Sequence, residues 1–235
     1  MIEVEVHTAR PPQALPACRW TFPDPVGADE ARAVAVGGDF APETIIAAYR
    51  QGIFPWPHDQ EEYLWFSTDP RAILPIGELK ISRRLARTIR SGPFRVTMDA
   101  AFGEVLRGCE ARPEEEGTWI TPAYMEGYEA LHALGWSHSF EAWTAAGDLA
   151  GGVYGVAVGG MFGAESMFHR VTDASKVALA GLMSHLEQVG FLLVDIQVLT
   201  PHTASLGGVE ISRREYLGRL QRALAAGRGA QQKPE

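Results

Sequence analysis

An aliphatic run from Phe191 to Val198 carries two polar residues, Asp195 and Gln197, two positions apart. Such a run is typical of a buried strand, in which residues i and i+2 face the same side. A carboxylate removed from water needs hydrogen-bond donors, and a primary amide supplies them. The spacing therefore predicts that the Gln197 amide donates to Asp195, which leaves the amide oxygen available for chemistry. The alternative is an edge strand whose polar face meets solvent.

The segments around this strand indicate the elements that position it. Predicted strands cover residues 138–143, 149–158 and 161–168. Further helical patterns lie in part of residues 97–108 and over residues 121–134. The last two strands are joined at Gly159 by a tight hairpin signal. A helix follows over residues 174–189, with Thr172 or Asp173 as its N-cap and Gly190 as its end. The order β-β-β-α-β predicts an α+β fold whose sheet is at least partly antiparallel.

The amino-terminal part differs from the rest in composition. Residues 1–69 are rich in proline, glycine and aromatic residues, and their clearest predicted helix runs from Pro42 to Gln51. Prolines hold the next segment extended, where Trp56 is either a lid or a packing anchor. From residue 70 onward the pattern changes to helices and strands. The sequence therefore predicts a small amino-terminal domain over residues 1–69 and a larger domain over residues 70–235.

Composition excludes several classes of protein. The 235 residues carry a formal net charge of −8, and 46% of them are hydrophobic, so a sizeable core can form. No segment approaches the roughly 18 consecutive apolar residues of a membrane span, and the first residues lack signal-peptide features, so we expect a cytoplasmic protein with no membrane partner. Seven scattered histidines and two distant cysteines, Cys18 and Cys109, predict neither a metal site nor a disulfide.

One segment is strongly basic in an otherwise acidic chain. No acidic residue interrupts a cluster made of Lys80, Arg83, Arg84, Arg87, Arg90 and Arg95. Ile81, Leu85 and Ile89 recur every four residues, which predicts a basic amphipathic helix docked by its apolar stripe. Its arginines suit a sugar-phosphate backbone, and a plain solvated helix face is equally compatible. The same two interpretations apply to a second basic group near the carboxyl end, Arg213, Arg214, Arg219 and Arg222.

A set of short motifs covers nearly the whole chain in order. The motifs are Ala35-Val-Gly-Gly-Asp, Arg50-Gln-Gly-Ile-Phe-Pro-Trp, Phe66-Ser-Thr-Asp-Pro-Arg-Ala, Gly117-Thr-Trp-Ile-Thr, Gly163-Ala-Glu-Ser-Met-Phe, Asp173-Ala-Ser-Lys, Val194-Asp-Ile-Gln-Val and Pro201-His-Thr-Ala-Ser-Leu-Gly. Together they closely resemble the leucyl/phenylalanyl-tRNA-protein transferase family. The resemblance implies a small amino-terminal α/β domain and a larger domain of the acyl-CoA N-acyltransferase (GNAT-like) type, with a mixed, mostly antiparallel sheet.

The resemblance also implies a reaction. Leucine or phenylalanine, and less well methionine, would pass from its tRNA to the α-amino group of a protein that begins with arginine or lysine. The product would carry a destabilising amino terminus for N-degron proteolysis. Replacing an activated ester with an amide is downhill, so the reaction needs positioning and one proton transfer but no metal or cofactor. The expected partners are Leu-tRNA, Phe-tRNA and the acceptor protein, and the expected state is a monomer.

Roles for individual residues follow from the same resemblance. Asp195 and Gln197 would be catalytic, and Glu165 would hold an ammonium group of donor or acceptor. Trp56 and Trp119 would lie near the terminal adenosine of the tRNA. The predicted apolar pocket for the donor side chain consists of Val153, Phe162, Met167 and Phe168. The predicted tRNA-binding surface consists of Lys80, Arg83, Arg84, Arg87 and Arg90.

Three questions stay open at this point. His169 stands where a small serine is expected, and Val153 where methionine is also compatible, so the order of preference among leucine, phenylalanine and methionine is undecided. Gln197 either accepts the proton of the amine, or positions the substrate while a ribose hydroxyl of the tRNA relays that proton. Two rival classes are an acyl-CoA-dependent acyltransferase and a non-catalytic tRNA-binding or degradation-adaptor protein.

Overall fold

The computed structural model of the chain describes residues 2–7, 10–29, 33–56, 63–111 and 120–230. Its strands are β1 (Glu5–Val6), β2 (Ala35–Val36), β3 (Phe54–Pro55), β4 (Leu64–Phe66), β5 (Arg71–Ile73), β6 (Phe94–Met98), β7 (Ser137–Thr144), β8 (Leu149–Val158), β9 (Met161–His169), β10 (Leu193–Gln197) and β11 (Val209–Ile211). Its helices are α1 (Pro42–Tyr49), α2 (Arg83–Ser91), α3 (Phe102–Glu110), α4 (Pro122–Ala133), α5 (Ala174–Gln188), α6 (Pro201–Ser205) and α7 (Arg213–Ala230), with a 3-10 turn at Pro25–Gly27. Over these described ranges, none of the helices combines the length and apolar character needed to cross a membrane.

The main sheet has the strand order β1-β6-β7-β8-β9-β10-β5-β11 over the described residues. Its β1/β6 and β9/β10 pairs are parallel and its other pairs are antiparallel. The prediction of a mixed, mostly antiparallel sheet is therefore confirmed. Because β10 lies between β9 and β5, it is an interior strand, and the edge-strand alternative for Asp195 and Gln197 is wrong.

The predicted β-β-β-α-β order is confirmed by β7, β8, β9, α5 and β10. The hairpin turn also forms as expected, with Gly159 at a φ of +62°. A side chain there would lie only 2.9 Å from the backbone of α7, so glycine satisfies both the turn and the packing. Residues 97–108 are helical in part, as predicted: Thr97 belongs to β6, and α3 begins at Phe102. A non-glycine turn at Asp99, with a φ of +60°, separates the two.

The sheet has an apolar core on each face. Helices α1, α3, α4 and α7 contribute to one core, which we call the tyrosine-side core because it contains Tyr49, Tyr124, Tyr128, Tyr154 and Tyr216. The buried face of α5 forms the second core, called the α5-side core, together with side chains of β7, β8 and β9. The two cores place opposite faces of β9 and β10 in different surroundings. The position of each side chain on these strands therefore decides its possible role.

The amino-terminal part forms a separate three-stranded sheet of order β2-β4-β3. It is also joined closely to the rest of the chain, since β1 pairs with β6 of the main sheet. Gly52, after α1, packs against Tyr216 and Leu217 of α7. The tyrosine-side core thus runs continuously from residues before position 69 to residues after it. The division into domains at that position stays a prediction.

Candidate active site

A pocket of about 430 Å³ opens at the carboxyl end of β10. It brings together five of the residues predicted from sequence, namely Trp56, Val153, Glu165, Met167 and Gln197. Apolar side chains from several elements complete its wall, among them Phe54, Leu74, Leu179, Ile196 and Leu206. The pocket therefore combines an apolar wall with one carboxyl and one amide group. Trp119, the other predicted tryptophan, lies outside the described residues.

Asp195 lies beneath this pocket and is completely buried. The Arg71 guanidinium pairs with it through two hydrogen bonds, Nε to Oδ1 at 2.8 Å and Nη2 to Oδ2 at 2.6 Å. The hydroxyl of Tyr216 donates to Oδ2 at 2.8 Å, and the backbone N–H of Gln197 donates to Oδ1 at 3.0 Å. These four donors account for both carboxylate oxygens. Asp195 is thus an ion-pair partner held from three parts of the chain.

The predicted contact between the Gln197 side chain and Asp195 is wrong. A β-bulge at Ile196 interrupts the strand alternation, and Gln197 has a φ of +56°, so the i and i+2 rule does not hold here. When the Gln197 amide is oriented so that its nitrogen faces the neighbouring acceptors, that nitrogen donates instead to the carbonyl oxygens of Ile196 (3.0 Å) and Ala164 (3.1 Å). The contact to Asp195 comes from the backbone N–H. With the nitrogen used in this way, the amide offers its oxygen as an acceptor.

Arg71 was not identified from the sequence as a site residue, although it lies within the motif Phe66-Ser-Thr-Asp-Pro-Arg-Ala. It is completely buried, and its Nη1 also donates to the carbonyl of Gly52 at 3.1 Å. Burial alone would lower the pKa of Arg71, but the charge of Asp195 raises it above the ordinary value. Its partner is 124 positions away in sequence. The available signal was an arginine inside a strand-like apolar segment, where an unpaired charge is too costly to bury.

Glu165 lies at a second bulge, where Ala164 and Ser166 pair with neighbouring residues of β8 and Glu165 is the extra residue. The bulge turns its carboxyl toward the tyrosine-side core. The Tyr49 hydroxyl donates a short hydrogen bond to Oε1, and Tyr124 donates to Oε2 at 3.2 Å. Glu165 therefore connects the pocket with a group of buried hydroxyls.

The environment of Glu165 favours its neutral form. Burial raises the pKa of Glu165 to about 8, although hydrogen bonds from tyrosine hydroxyls oppose the rise. The negative charge of Asp195 adds to it. Burial also raises the pKa of Tyr49 and Tyr124, so both remain neutral donors at physiological pH. A cation that enters the pocket next to Glu165 would shift this carboxyl toward its ionised form.

Glu165 makes the stability of the fold depend on pH. Its pKa is about 8 in the folded protein and 4.5 ordinarily, so between these values the folded state binds more protons than the unfolded state. We expect stability to fall as the pH rises through this window, by at most about 1.4 kcal/mol per pH unit, and to level off above it. Thermal unfolding of Glu165→Gln should vary less with pH over the same window. Exposed Glu126→Gln is the control, and parallel pH profiles for wild type and Glu165→Gln would contradict the prediction.

Three predicted pocket residues do not line the pocket. Phe162 is buried in the α5-side core, and Phe168 packs in the tyrosine-side core. His169 is exposed at the end of β9. For Phe168 the physical reason is the bulge at Glu165, which reverses the alternation along β9 and places Met167, not Phe168, on the side of Phe162. Phe162 precedes the bulge and is too deeply buried to line the pocket. Of the four predicted apolar residues, the pocket wall therefore contains only Val153 and Met167.

The basic segment is a helix over part of its predicted length. Helix α2 is capped by the Ser82 hydroxyl, buries Leu85 and leaves Ile81, which precedes it, exposed. The predicted tRNA-binding residues are all exposed: Lys80, Arg83, Arg84, Arg87 and Arg90. Arg84 also pairs with Asp173 at 3.0 Å, which joins α2 to the start of α5. In the second basic group, Arg213 is buried and donates to backbone carbonyls of Pro25 and Ala28, so it is not a surface cation.

Comparisons with protein families and with individual proteins assign most of the chain to one family. Residues 73–221 match the family described as "Leucyl/phenylalanyl-tRNA protein transferase", and residues 38–69 match its "N-terminal domain". Three relatives carry the name "Leucyl/phenylalanyl-tRNA--protein transferase". The relative from Solidesulfovibrio magneticus is 51% identical over 86% of this chain and 82% of its own length. Those from Magnetococcus marinus and Anaeromyxobacter sp. are 48% and 50% identical, each over 87% of this chain and over 88% and 87% of their own lengths.

Among solved structures, the chain is similar to that of L-PGS from Bacillus licheniformis. The TM-score is 0.40 and the sequence identity is 12%, over 72% of this chain. The chain spans 57% of the length of that protein. Similarity at this level does not establish a fold family, so the GNAT-like assignment stays a prediction.

Proposed function

This chain belongs to the leucyl/phenylalanyl-tRNA-protein transferase family, a family of aminoacyltransferases, and from that premise we propose its substrates. The donor is leucine or phenylalanine, and less well methionine, esterified to tRNA. The acceptor is the α-amino group of a protein that begins with arginine or lysine. The product is a destabilising amino terminus that directs the protein to N-degron proteolysis. Aminoacyl-tRNA as the donor makes the cytoplasm the site of the reaction.

The observation that supports this proposal is the composition of the pocket. Its apolar wall includes Val153, Met167 and Leu179, which suits an aliphatic or aromatic side chain. Gln197 and Glu165 supply an amide and a carboxyl at the same pocket. An amide oxygen and a carboxyl group are suited to bind amines. The site can therefore hold an apolar aminoacyl group and an amine together, which aminoacyl transfer requires.

The pocket wall bears on donor selection. Val153 contributes a compact apolar surface and Met167 a flexible one. Neither offers a hydrogen bond to the donor side chain. Discrimination between leucine, phenylalanine and methionine must then come from shape, which separates such side chains only modestly. His169 is exposed and outside the pocket wall, so its effect on this preference would be indirect. Val153 is the better position at which to alter the preference.

The proposed reaction consists of positioning and proton transfer. The amine of the acceptor attacks the ester carbonyl, the tRNA leaves with its ribose hydroxyl, and a peptide bond forms. An α-amino group has a pKa near 8, and burial gives Glu165 a pKa of about 8. Proton exchange between an incoming ammonium and Glu165 is therefore nearly balanced in free energy. The Gln197 oxygen then orients the neutral amine toward the carbonyl.

Asp195 has a different role from the one inferred from strand alternation. Its oxygens are occupied by Arg71, Tyr216 and the backbone of Gln197, so it does not polarise the Gln197 side chain directly. We assign it to holding the Gln197 backbone. Gln197 is left as the catalytic group that meets the amine. The proton that the attacking amine loses ends on the departing ribose oxygen, reached directly or by way of Glu165 or the Gln197 oxygen.

Helix α2 is proposed to bind the phosphate backbone of the tRNA. Arg83 and Arg87 are exposed one turn apart, and Lys80 extends this basic surface before the helix begins. Replacing both arginines, as Arg83→Gln/Arg87→Gln, is expected to reduce the slope of log Kd against log salt by about one per arginine. Filter binding of aminoacyl-tRNA across a salt series measures this. Arg107→Gln is the matched control, since Arg107 is an exposed arginine on α3, which packs on the tyrosine-side core and is not part of the basic surface of α2. An unchanged slope in the double variant would contradict the assignment.

The deciding experiment is a transfer assay with purified protein. Radiolabelled Leu-tRNA or Phe-tRNA is incubated with a model protein that begins with arginine and with a matched protein that begins with alanine. Label on the arginine protein alone is the expected result. Equal labelling would refute the acceptor rule. No labelling of either, with tRNA still bound, would refute the activity and favour a tRNA-binding protein.

A further inference from the structure

The Arg71 side chain connects four parts of the chain in the protein interior. It pairs with Asp195 of β10 and donates to the carbonyl of Gly52 at 3.1 Å. Its guanidinium also lies 4.5 Å from the ring centre of Phe54 and 4.4 Å from that of Tyr216. Phe54 lines the pocket, and Tyr216 belongs to α7. Few positions of the guanidinium would satisfy all these contacts at once.

Gln197 has a backbone conformation that needs support. Its φ of +56° lies in the left-handed region, which is unfavourable for a non-glycine residue and persists only when its surroundings hold it. Two hydrogen bonds hold it here. Its N–H donates to Asp195 Oδ1 at 3.0 Å, and the Thr68 hydroxyl donates to its carbonyl at 3.0 Å. The same Oδ1 also accepts a hydrogen bond from Arg71 Nε. Arg71 therefore holds in place the carboxylate oxygen to which the Gln197 N–H donates.

The type of ion pair matters for this arrangement. A single ammonium would neutralise Asp195, but it would leave the carboxylate free to rotate. The planar guanidinium contacts both oxygens and sets the plane of the carboxylate. Burying such a pair is a poor way to gain stability, because an apolar pair of equal volume usually serves as well. A requirement to fix the orientation of the Asp195 carboxylate explains why this pair of charges occupies the interior.

We propose that Arg71 is a positioning residue for aminoacyl transfer, which orients the Gln197 amide at the pocket through Asp195. This inference rests on the proposed function, because it concerns the same site. Arg71 is completely buried and does not line the pocket. Its effect on the rate is transmitted through the backbone bulge of β10.

A double-mutant cycle tests whether Arg71 acts through Gln197. Arg71→Lys keeps the charge but cannot contact both oxygens in one plane. We expect it to lower kcat by about 10²-fold, the usual effect of a displaced reactive group, with little change in KM for aminoacyl-tRNA. In the Gln197→Ala background the same substitution should change kcat by less than about twofold, since there is no amide left to orient. Arg19→Lys, in which the exposed Arg19 side chain pairs with Asp39, is the control expected to keep full activity.

Each outcome decides the question. Full kcat in Arg71→Lys overturns the proposal, and so does an equal loss in both backgrounds, which indicates a general structural role. If Arg71→Lys does not fold, Arg71→Met/Asp195→Asn replaces it in the cycle, because it removes the ion pair but keeps an amide oxygen as acceptor for the Gln197 N–H. Full kcat or an additive loss in that variant then overturns the proposal in the same way. Absence of transfer by the wild-type protein refutes the proposed function instead.

Discussion

Gln197→Ala is expected to lower kcat for aminoacyl transfer by about 10²- to 10³-fold, comparable with the loss of one preorganised polar group elsewhere. The Gln197 amide nitrogen is engaged with two backbone carbonyls, so the oxygen is held in place before substrate binds. Removing the side chain should affect the chemical step but not tRNA affinity, because the basic surface on α2 is separate. Single-turnover transfer with saturating protein measures the step.

Two controls sharpen this prediction. Val198→Ala alters the neighbouring pocket residue without removing a polar group, and should retain most of the activity. Gln197→Glu preserves size and an acceptor oxygen but loses the N–H donors to Ile196 and Ala164, so it should restore little. A near wild-type single-turnover rate in Gln197→Ala would contradict the catalytic role of this residue. It would favour proton transfer between the amine and the tRNA itself.

The second large effect is expected on stability. Asp195→Ala leaves Arg71 charged and buried without its carboxylate, and breaking one side of such a pair typically lowers the free energy of unfolding by about 3 to 5 kcal/mol. Denaturant titration followed by tryptophan fluorescence measures the loss. Asp148→Ala, at an exposed turn after β7, is the matched control and should change stability little.

Replacing both charges separates stability from catalysis. Arg71→Met/Asp195→Leu fills the same interior with apolar groups, so it should recover much of the stability that Asp195→Ala loses. It should not recover the transfer rate, because the Gln197 N–H has lost its acceptor. If Asp195→Ala were as stable as the control, the buried ion pair would not be essential to the fold. If the double variant regained the rate, positioning by Asp195 would be wrong.

The regular parts of the main sheet were predictable from local patterns. Strand β8 has the predicted bounds, and the hairpin at Gly159 and the helix α5 follow from glycine and apolar periodicity. Glu165 and Gln197, which lie in two of the sequence motifs, both line the pocket, and Asp195 lies beneath it. These signals are local because turn conformation and helix or strand periodicity depend on residues near in sequence.

The roles of particular side chains depended on contacts that are distant in sequence. Simple alternation predicted the Gln197 amide beside Asp195, and a bulge at Ile196 prevents that contact. A second bulge, at Glu165, turns Phe168 away from the pocket to which it was assigned. A bulge depends on the register with neighbouring strands, so neither strand reveals it alone. Likewise, no local pattern pairs Arg71 with an aspartate 124 positions later.

The amino-acid sequence by itself determined the family, the order of strands and helix along the chain around the site and the segments that carry polar residues into an apolar interior. Only the tertiary structure decided which atoms meet. It placed Arg71 and Tyr216 on Asp195, turned Glu165 toward buried tyrosines and removed two phenylalanines from the pocket wall. The physical reason is that burial makes each polar group find partners wherever the fold supplies them, and those partners come from distant parts of the chain.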